Sequence, residues 1–322
     1  MGRFAVRTLF VALIVALVPR AAWAQFKDDR SAKGPQPGRE ATQMLKVGFV
    51  VKADGGTVFR IVGTAPVPTG WPEQQVRIVN EDLSPSVKSL TYRTITGGGG
   101  LKQMVVEIPQ LAAGQEARAL VTFEVTRRTS VPPAETDIFT VPKKLDRQMS
   151  INIGPSPFIE SRHPKIIAAA NEAIAAAETD WQKVEAIYDW TRAHVAYKSG
   201  ELKGAARALL DKEGYTDELT SLFVAMCRVQ KIPARTVFVT NHCYAEFYLE
   251  DDEGQGHWFP CQPAGSRAFG GIDDVQPILQ KGDNFKNPEK PKERLRYVTE
   301  YFNAASKGGK PRVTFVCEPA AE

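Results

Sequence analysis

The sequence predicts an α+β protein in which a small β-sandwich precedes a domain of helices packed on an antiparallel sheet. From residue 45 apolar and polar residues alternate, and past Pro157 the apolar residues recur at helical spacing. Strand-like runs return after Lys231, and helices followed by strands are typical of segregated layers. We expect a signal peptide at 1–24, a flexible linker at 25–44, the β-sandwich at 45–148 and, at 149–322, the helix-and-sheet domain with a C-terminal extension.

The N-terminus has the organisation of a secretory signal. Arg3 and Arg7 precede an unbroken apolar run at 9–18, and Ala22-Trp23-Ala24 is a small-x-small cleavage pattern. Ten apolar residues rise about 15 Å as a helix, half of the roughly 30 Å hydrocarbon core, so no stable membrane span is expected. The sequence therefore predicts a secreted or periplasmic protein. The polar residues 25–44 contain Gly and Pro, which indicates a flexible linker.

Composition and charge exclude some classes of protein. The 322 residues are 43% hydrophobic, which is enough for two folded domains and excludes wholesale disorder. The net charge of +4 falls to +1 once Arg3, Arg7 and Arg20 leave with the signal, because 38 basic residues then face 37 acidic ones. Nucleic acid is therefore not an expected partner. Six basic residues at 281–296 are interleaved with acids and predict a solvated mixed face.

The segment 45–145 reads as a run of short antiparallel strands. Val121, Phe123 and Val125 alternate with polar residues, which predicts a half-buried strand. Similar runs lie at 45–52, 58–64, 75–79, 89–95 and 102–108, and turn residues separate them. The glycines at 97–100 predict a hairpin tip, because no Lys-Ser or Lys-Thr follows them and no helix opens there.

Helical patterns then follow in order. Pro164 suits the first turn of an Ala-rich helix, and Thr179 with Gln182 forms a capping box for a helix that ends near residue 195. A short helix is expected at 205–212, and Thr216 opens another as a favourable N-cap. Strands are expected at 236–239, 243–249 and 257–261, and farther on a short helix near 293–303 and a strand at 312–317.

One composite motif points to a known family. The segment contains, in order, Gly214-x-Thr216, Ile232-Pro233-Ala234-Arg235, His242-Cys243-Tyr244-Ala245-Glu246 and Trp258-Phe259-Pro260-Cys261-Gln262-Pro263. It resembles the transglutaminase-like superfamily, which has a papain-like fold. The family pattern is Gly-x-Cys at a helix start, Ile-Pro-Ala-Arg, His-x-Trp-x-Glu on a strand and Trp-x-x-x-Asp-Pro on the next strand. The resemblance covers roughly residues 150–265.

The resemblance implies a thiol acyl-transfer site on protein or peptide amides. A Cys at a helix N-terminus favours its thiolate, a His acts as base and an Asp orients that His. In this chain the Cys position is Thr216 and the Asp position is Gln262, so that only His242 of the three is retained. A hydroxyl is a poorer nucleophile than a thiol, and loss of a nucleophile costs on the order of 10⁴–10⁶ in rate.

The expected hairpin gives a register independently of the family. A turn centred on Asp252 pairs residues whose numbers sum to 504, which places His242 opposite Gln262. The same register places Cys243 opposite Cys261. In an exported chain these two form either a cross-strand disulfide or two buried free thiols.

The remaining cysteines and histidines indicate no second site. Cys227, on the helix that begins at Thr216, is expected to be a small residue of the hydrophobic core, and Cys317 has no assigned partner. His163, His194 and His257 lack the spacing of metal ligands, so no metal or cofactor is expected.

Three functional readings follow. In the first, the triad has decayed and the cleft binds a peptide or serves a structural role. In the second, the protein is an active acyltransferase or peptidase that uses His242 with Thr216 or a displaced Cys. In the third, the β-sandwich docks a partner or the cell envelope. The sequence does not indicate an oligomeric state.

Overall fold

The computed structural model describes residues 33–95 and 99–320. The predicted signal peptide, linker residues 25–32 and part of the glycine-rich hairpin tip lie outside the described residues. The strands are β1 (Gln36–Lys52), β2 (Gly56–Val67), β3 (Gln74–Leu83), β4 (Ser89–Thr94), β5 (Lys102–Leu111), β6 (Glu116–Val131), β7 (Ala196–Tyr197), β8 (Glu213–Gly214), β9 (Ala234–Val239), β10 (His242–Glu250), β11 (Gly256–Gln262), β12 (Ala268–Phe269), β13 (Ile278–Lys281), β14 (Phe285–Lys286), β15 (Arg294–Leu295), β16 (Tyr301–Gly308) and β17 (Arg312–Pro319). The helices are α1 (Pro164–Ala173), α2 (Asp180–His194), α3 (Ala205–Asp211) and α4 (Thr216–Val229), with a 3₁₀ turn at Met149–Asn152.

Two antiparallel four-stranded sheets form the predicted sandwich. Their strand orders are β17-β1-β6-β3 and β16-β2-β5-β4. The alternation predicted for β6 is confirmed, since Val121, Phe123 and Val125 are all buried in the core between the sheets. The fold class is therefore α+β, as the sequence predicts.

The C-terminal extension completes this sandwich. β16 pairs with β2 and β17 pairs with β1, so the unit expected at 45–148 also contains residues 301–319. Phe302 and Phe315 pack edge-on against Phe49, with ring centroids 6.1 and 5.9 Å away. The helix expected near 293–303 is wrong, because Phe302 and Ala304 face the sandwich core at a spacing of two. The strand expected at 312–317 is present within β17.

Much of the expected linker is also strand. Residues 36–44 form the first half of β1 and pair with β6, for example Thr42 opposite Thr126. The hydroxyl groups of that pair are 2.8 Å apart. The polar composition suggested a linker because this half of β1 is mostly solvent-accessible and needs few apolar residues.

The second unit packs helices on one face of a five-stranded sheet. The strand order is β12-β11-β10-β9-β13, and α4 packs against β9 and β10. The predicted capping box of α2 is confirmed: Gln182 N donates to Thr179 Oγ1 at 3.2 Å, and Thr179 N donates to Gln182 Oε1 at 3.3 Å. Within the described residues, no helix combines the length and apolar character of a membrane span.

The charged stretch 281–296 is not wholly a solvated face. Lys281, Asp283 and Arg296 are 4%, 2% and 5% exposed. Lys281 pairs with Glu246 at 2.6 Å and Asp283 pairs with Arg228 at 2.8 Å. The expectation failed because the opposite charges come from distant strands and helices, which a local charge count does not include.

Candidate active-site cleft

The strand pair β10–β11 brings His242 and Gln262 together. The ladder pairs Ala245 with Cys261 and Tyr248 with Trp258, so paired numbers sum to 506 rather than the expected 504. His242 is therefore not directly opposite Gln262. The two residues are instead diagonal neighbours on one face, and His242 Nε2 lies 3.3 Å from Gln262 Oε1.

A longer turn explains the shifted register. The ladder closes at Glu250 and Gly256, and residues 251–255 form the loop. The Asp251 carboxylate accepts hydrogen bonds from the N–H groups of Glu253 and Gln255 at 3.0 and 2.9 Å. Gly254 takes a φ of +76°, which favours glycine. These contacts centre the turn on Glu253, one residue beyond the predicted Asp252.

Neighbouring elements position both side chains. A two-residue turn joins β9 to β10 directly before His242, and Asn241 in that turn has a φ of +58°, which Asn tolerates. The Tyr188 hydroxyl on α2 donates to the Gln262 carbonyl oxygen at 3.0 Å. The Gln262 side-chain oxygen can accept only from a protonated His242 Nε2, so the neutral ring keeps a lone pair at Nδ1.

Thr216 begins α4 but does not cap it. Tyr215 occupies the N-cap position, and its N–H donates to the Glu218 carboxylate at 3.0 Å. Thr216 is 5% exposed, and its hydroxyl has no hydrogen-bond partner among residues 33–95 and 99–320. The expected N-cap role of Thr216 is therefore wrong, because the cap falls one residue earlier. Thr216 lines the same cavity as His242.

The cysteines beside the cleft are free thiols. Cys261 lies opposite Ala245 rather than opposite Cys243, and of the two alternatives that the sequence left open the structure has two buried free thiols. Burial raises the pKa of the Cys243 thiol to about 12, and its Sγ contacts Thr220 Oγ1 at 3.8 Å. Burial also raises the pKa of Cys261 and of Cys227, which is in the core as expected. None of these three thiols is poised as a thiolate.

Arg296 reaches the first turn of α4 from the C-terminal region. Its guanidinium donates to Ser221 Oγ at 2.7 Å and to the Asp217 carboxylate at 3.1 Å. A cation is unfavourable at the positive end of a helix, and Asp217 offsets it. The sequence did not identify Arg296, since only the folded chain brings it within reach of α4.

A cavity of about 610 Å³ contains these groups. Thr216, Asp217 and His242 line it together with several aromatic residues. The aromatic residues are Phe158, Tyr215, Phe238 and Tyr297. The lining is therefore mixed, with polar side chains beside aromatic rings.

Cys317 also lines this cavity, from strand β17 of the sandwich. Desolvation and the nearby Glu300 carboxylate raise the pKa of its thiol. The sequence assigned Cys317 no partner, because the pairing of β17 with β1 is what carries it to the cleft.

Comparison with known proteins agrees with this architecture. Residues 167–263 match the family model described as the transglutaminase-like superfamily. A search of curated proteins finds no significant match. A candidate cysteine protease from Cytophaga hutchinsonii is 17% identical, with a TM-score of 0.54 over 88% of this chain and 93% of that one. The periplasmic domain of TgpA from Pseudomonas aeruginosa, solved with ethylmercury, is 13% identical over 67% of this chain and 89% of that one, with a TM-score of 0.32.

Proposed function

Because the chain carries a domain of the transglutaminase-like superfamily, we propose that it is an exported protein whose cleft binds a peptide segment without acyl transfer. Export rests on the N-terminal sequence pattern. Peptide binding rests on the retained cleft, and the lack of catalysis rests on the two substituted positions, Thr216 and Gln262.

The contact between His242 and Gln262 carries the proposal. The pair keeps an oriented imidazole at 3.3 Å, but the orienting group is a neutral amide. A carboxylate stabilises the imidazolium that forms when a His removes a proton, whereas an amide oxygen provides only a dipole. His242 is therefore retained in position, but the neutral Gln262 amide stabilises an imidazolium less than a carboxylate would.

The start of α4 supports the same conclusion. Thr216 presents a hydroxyl, which is far less ionised than a thiol near neutral pH. The first turn of α4 carries the Asp217–Arg296 ion pair at 3.1 Å, and no thiol stands at the Thr216 position to use the helix N-terminus. The nucleophilic thiol of the family is thus replaced by the Thr216 hydroxyl, which is suited to hydrogen bonding.

The remaining polar groups suit a peptide amide. His242 Nδ1 offers a lone pair, and the Thr216 hydroxyl offers a proton. A peptide unit supplies the complementary N–H and C=O. Because Asp217 neutralises Arg296, this end of the cavity favours a neutral amide over a charged ligand.

The test is amine incorporation into a glutamine donor together with peptide hydrolysis. We expect no activity from the native protein and measurable activity from Thr216→Cys, which restores a thiol at the helix start. Thr216→Cys combined with His242→Ala is the matched control and should be inactive. Native activity that His242→Ala abolishes would contradict the proposal.

A second candidate is an active enzyme with a displaced thiol. The observation in its favour is that Cys317 lines the same cavity as His242. In such a reaction the Cys317 proton would pass to His242, sulfur would bond to the substrate carbonyl carbon, and the amine would leave with that proton. The raised pKa of Cys317 disfavours the first step. Native activity that Cys317→Ser removes and Thr216→Ala preserves would establish this candidate.

A further inference from the structure

Phe158 has a backbone conformation that its side chain disfavours. Its φ is +66°, in the left-handed region that favours glycine. Ser156 and Ile159 exchange two backbone hydrogen bonds of 3.2 and 2.9 Å, so Pro157 and Phe158 are the central residues of a tight turn. Proline followed by a residue of positive φ is the pattern of a type II turn, whose third position normally holds Gly or Asn.

Burial does not compensate for this strain. Phe158 is 40% exposed, one of the most exposed large apolar residues among those the structure describes. Its neighbour Ile159 is fully buried and anchors the turn in the core. A phenylalanine is therefore held where a smaller residue would fit the backbone better and where water contacts the ring. Strained residues of this kind are concentrated at binding sites.

The Ser156–Ile159 turn is held in place by contacts with the buried Arg228–Asp283 ion pair. Ser156 Oγ donates to the Asp283 carboxylate at 2.6 Å and accepts from Arg228 Nη1 at 2.9 Å. Arg228 and Asp283 are themselves paired and almost fully buried. The Phe158 carbonyl also accepts from Ala205 N at 3.0 Å. The ring is therefore presented from a rigid support, as a preorganised contact requires.

The ring borders the cleft that contains His242. Phe158 lines the same cavity as Thr216 and His242 and is 40% exposed. Tyr215 and Tyr297 also line this cavity. An aromatic side chain entering between such rings gains contact area and favourable edge-to-face geometry.

We propose that Phe158 is a specificity-determining residue, which selects peptides that carry an aromatic side chain next to the residue bound at His242. The inference rests on the proposed peptide-binding function and names its ligand class. The turn keeps a strained phenylalanine because the ring contributes to binding rather than to folding.

The experiment measures calorimetric affinity for two capped tripeptides, acetyl-Phe-Gln-Phe-amide and acetyl-Ala-Gln-Ala-amide. The native protein should bind the aromatic peptide about tenfold more tightly, the scale of one good aromatic contact. Phe158→Asn keeps a residue that tolerates positive φ and removes the ring, and it should abolish that preference. Its melting temperature should equal or exceed that of the native protein, and Phe158→Gly should behave in the same way.

The outcomes separate this inference from the proposed function. Native protein that binds neither peptide would overturn both. Native protein that binds both peptides equally, or variants that keep the preference, would overturn the role of Phe158 alone. Variants that lose the preference and also melt at a clearly lower temperature would show that the ring supports the fold, which would likewise overturn it.

Discussion

Glu246 lies directly across the sheet from Arg235, and their charged groups are 2.6 Å apart. Lys281 pairs with the other oxygen of the same carboxylate at 2.6 Å and also with Glu73 of the sandwich. The Arg235 guanidinium stacks 3.8 Å above the Trp258 ring. Glu246 and Arg235 belong to the motif that carries the family resemblance, so the motif includes a buried electrostatic joint between the two units of the fold.

Removal of the Glu246 charge should destabilise the protein strongly. Glu246→Gln leaves Arg235 facing a neutral group and Lys281 paired with Glu73 alone, and breaking a buried pair costs about 3–5 kcal/mol. Urea unfolding followed by tryptophan fluorescence measures the loss. Glu124→Gln, which removes a surface pair with Arg77, is the matched control and should cost less than about 1 kcal/mol. Equal losses in the two variants would contradict this assignment.

Acid should weaken the same joint. Burial alone would raise the pKa of Glu246, but Lys281 and Arg235 outweigh it and lower the pKa from 4.5 to about 2. A depressed folded-state pKa contributes stability that is present above pH 4.5 and is lost as the pH falls toward 2. Unfolding free energies of native protein and Glu246→Gln should therefore converge below pH 4.5, and a constant difference down to pH 2 would contradict the prediction.

Restoring the acid should improve an engineered thiol enzyme. In the Thr216→Cys background, Gln262→Asp puts a carboxylate beside His242, on a side chain one methylene shorter than the glutamine whose Oε1 now lies 3.3 Å from Nε2. A charged partner stabilises the imidazolium, so we expect at least about tenfold faster amine incorporation than with Thr216→Cys alone. Gln262→Asn in the same background is the neutral control and should give no gain. Equal rates for the Asp and Asn variants would show that the charge at this position is unimportant.

One thiol should react faster than the other three. Cys317 is exposed, whereas Cys227, Cys243 and Cys261 are buried, and because the pKa of all four thiols is raised, exposure decides which one reacts. Iodoacetamide should therefore modify one cysteine in the folded protein and all four in urea, as counted by intact mass. Cys317→Ser should leave no fast thiol. Rapid modification of Cys243 would instead show that the cleft opens beside His242.

The motif residues lie close together in the sequence, which is why the sequence alone indicated the candidate site. The spacing from Gly214 to Pro263 indicated the superfamily, the helix at Thr216 and the contact between His242 and Gln262. The contact between His242 and Gln262 was predicted correctly although the strand register was not. Paired residue numbers sum to 506 instead of 504, and this shift by two residues keeps both side chains on the same face of the sheet as diagonal neighbours.

The missed features depend on distant parts of the chain. Arg296 reaches Ser221 and Asp217 of α4, and Cys317 reaches the cleft only because β17 returns to β1. A local window shows Arg296 only among alternating charges. The same local window shows the β16 segment only as a weakly apolar stretch, because only Phe302 and Ala304 of that strand pack against the sandwich core. Such long-range pairings leave no local signal that a single sequence reveals.

Because β16 and β17 pair with β2 and β1, the sandwich can be completed only after the C-terminal strands have been synthesised. Arg312 pairs with Asp54, which stands 258 residues earlier in the chain. Until the ribosome has made residue 319, β1 and β2 each have an unpaired edge that another chain can join. Tyr297 and Cys317, which line the cleft, are also synthesised only near the end of the chain. A nascent chain that stops early therefore exposes two unpaired strand edges and lacks part of the cleft wall, so the sandwich and the cleft are completed together.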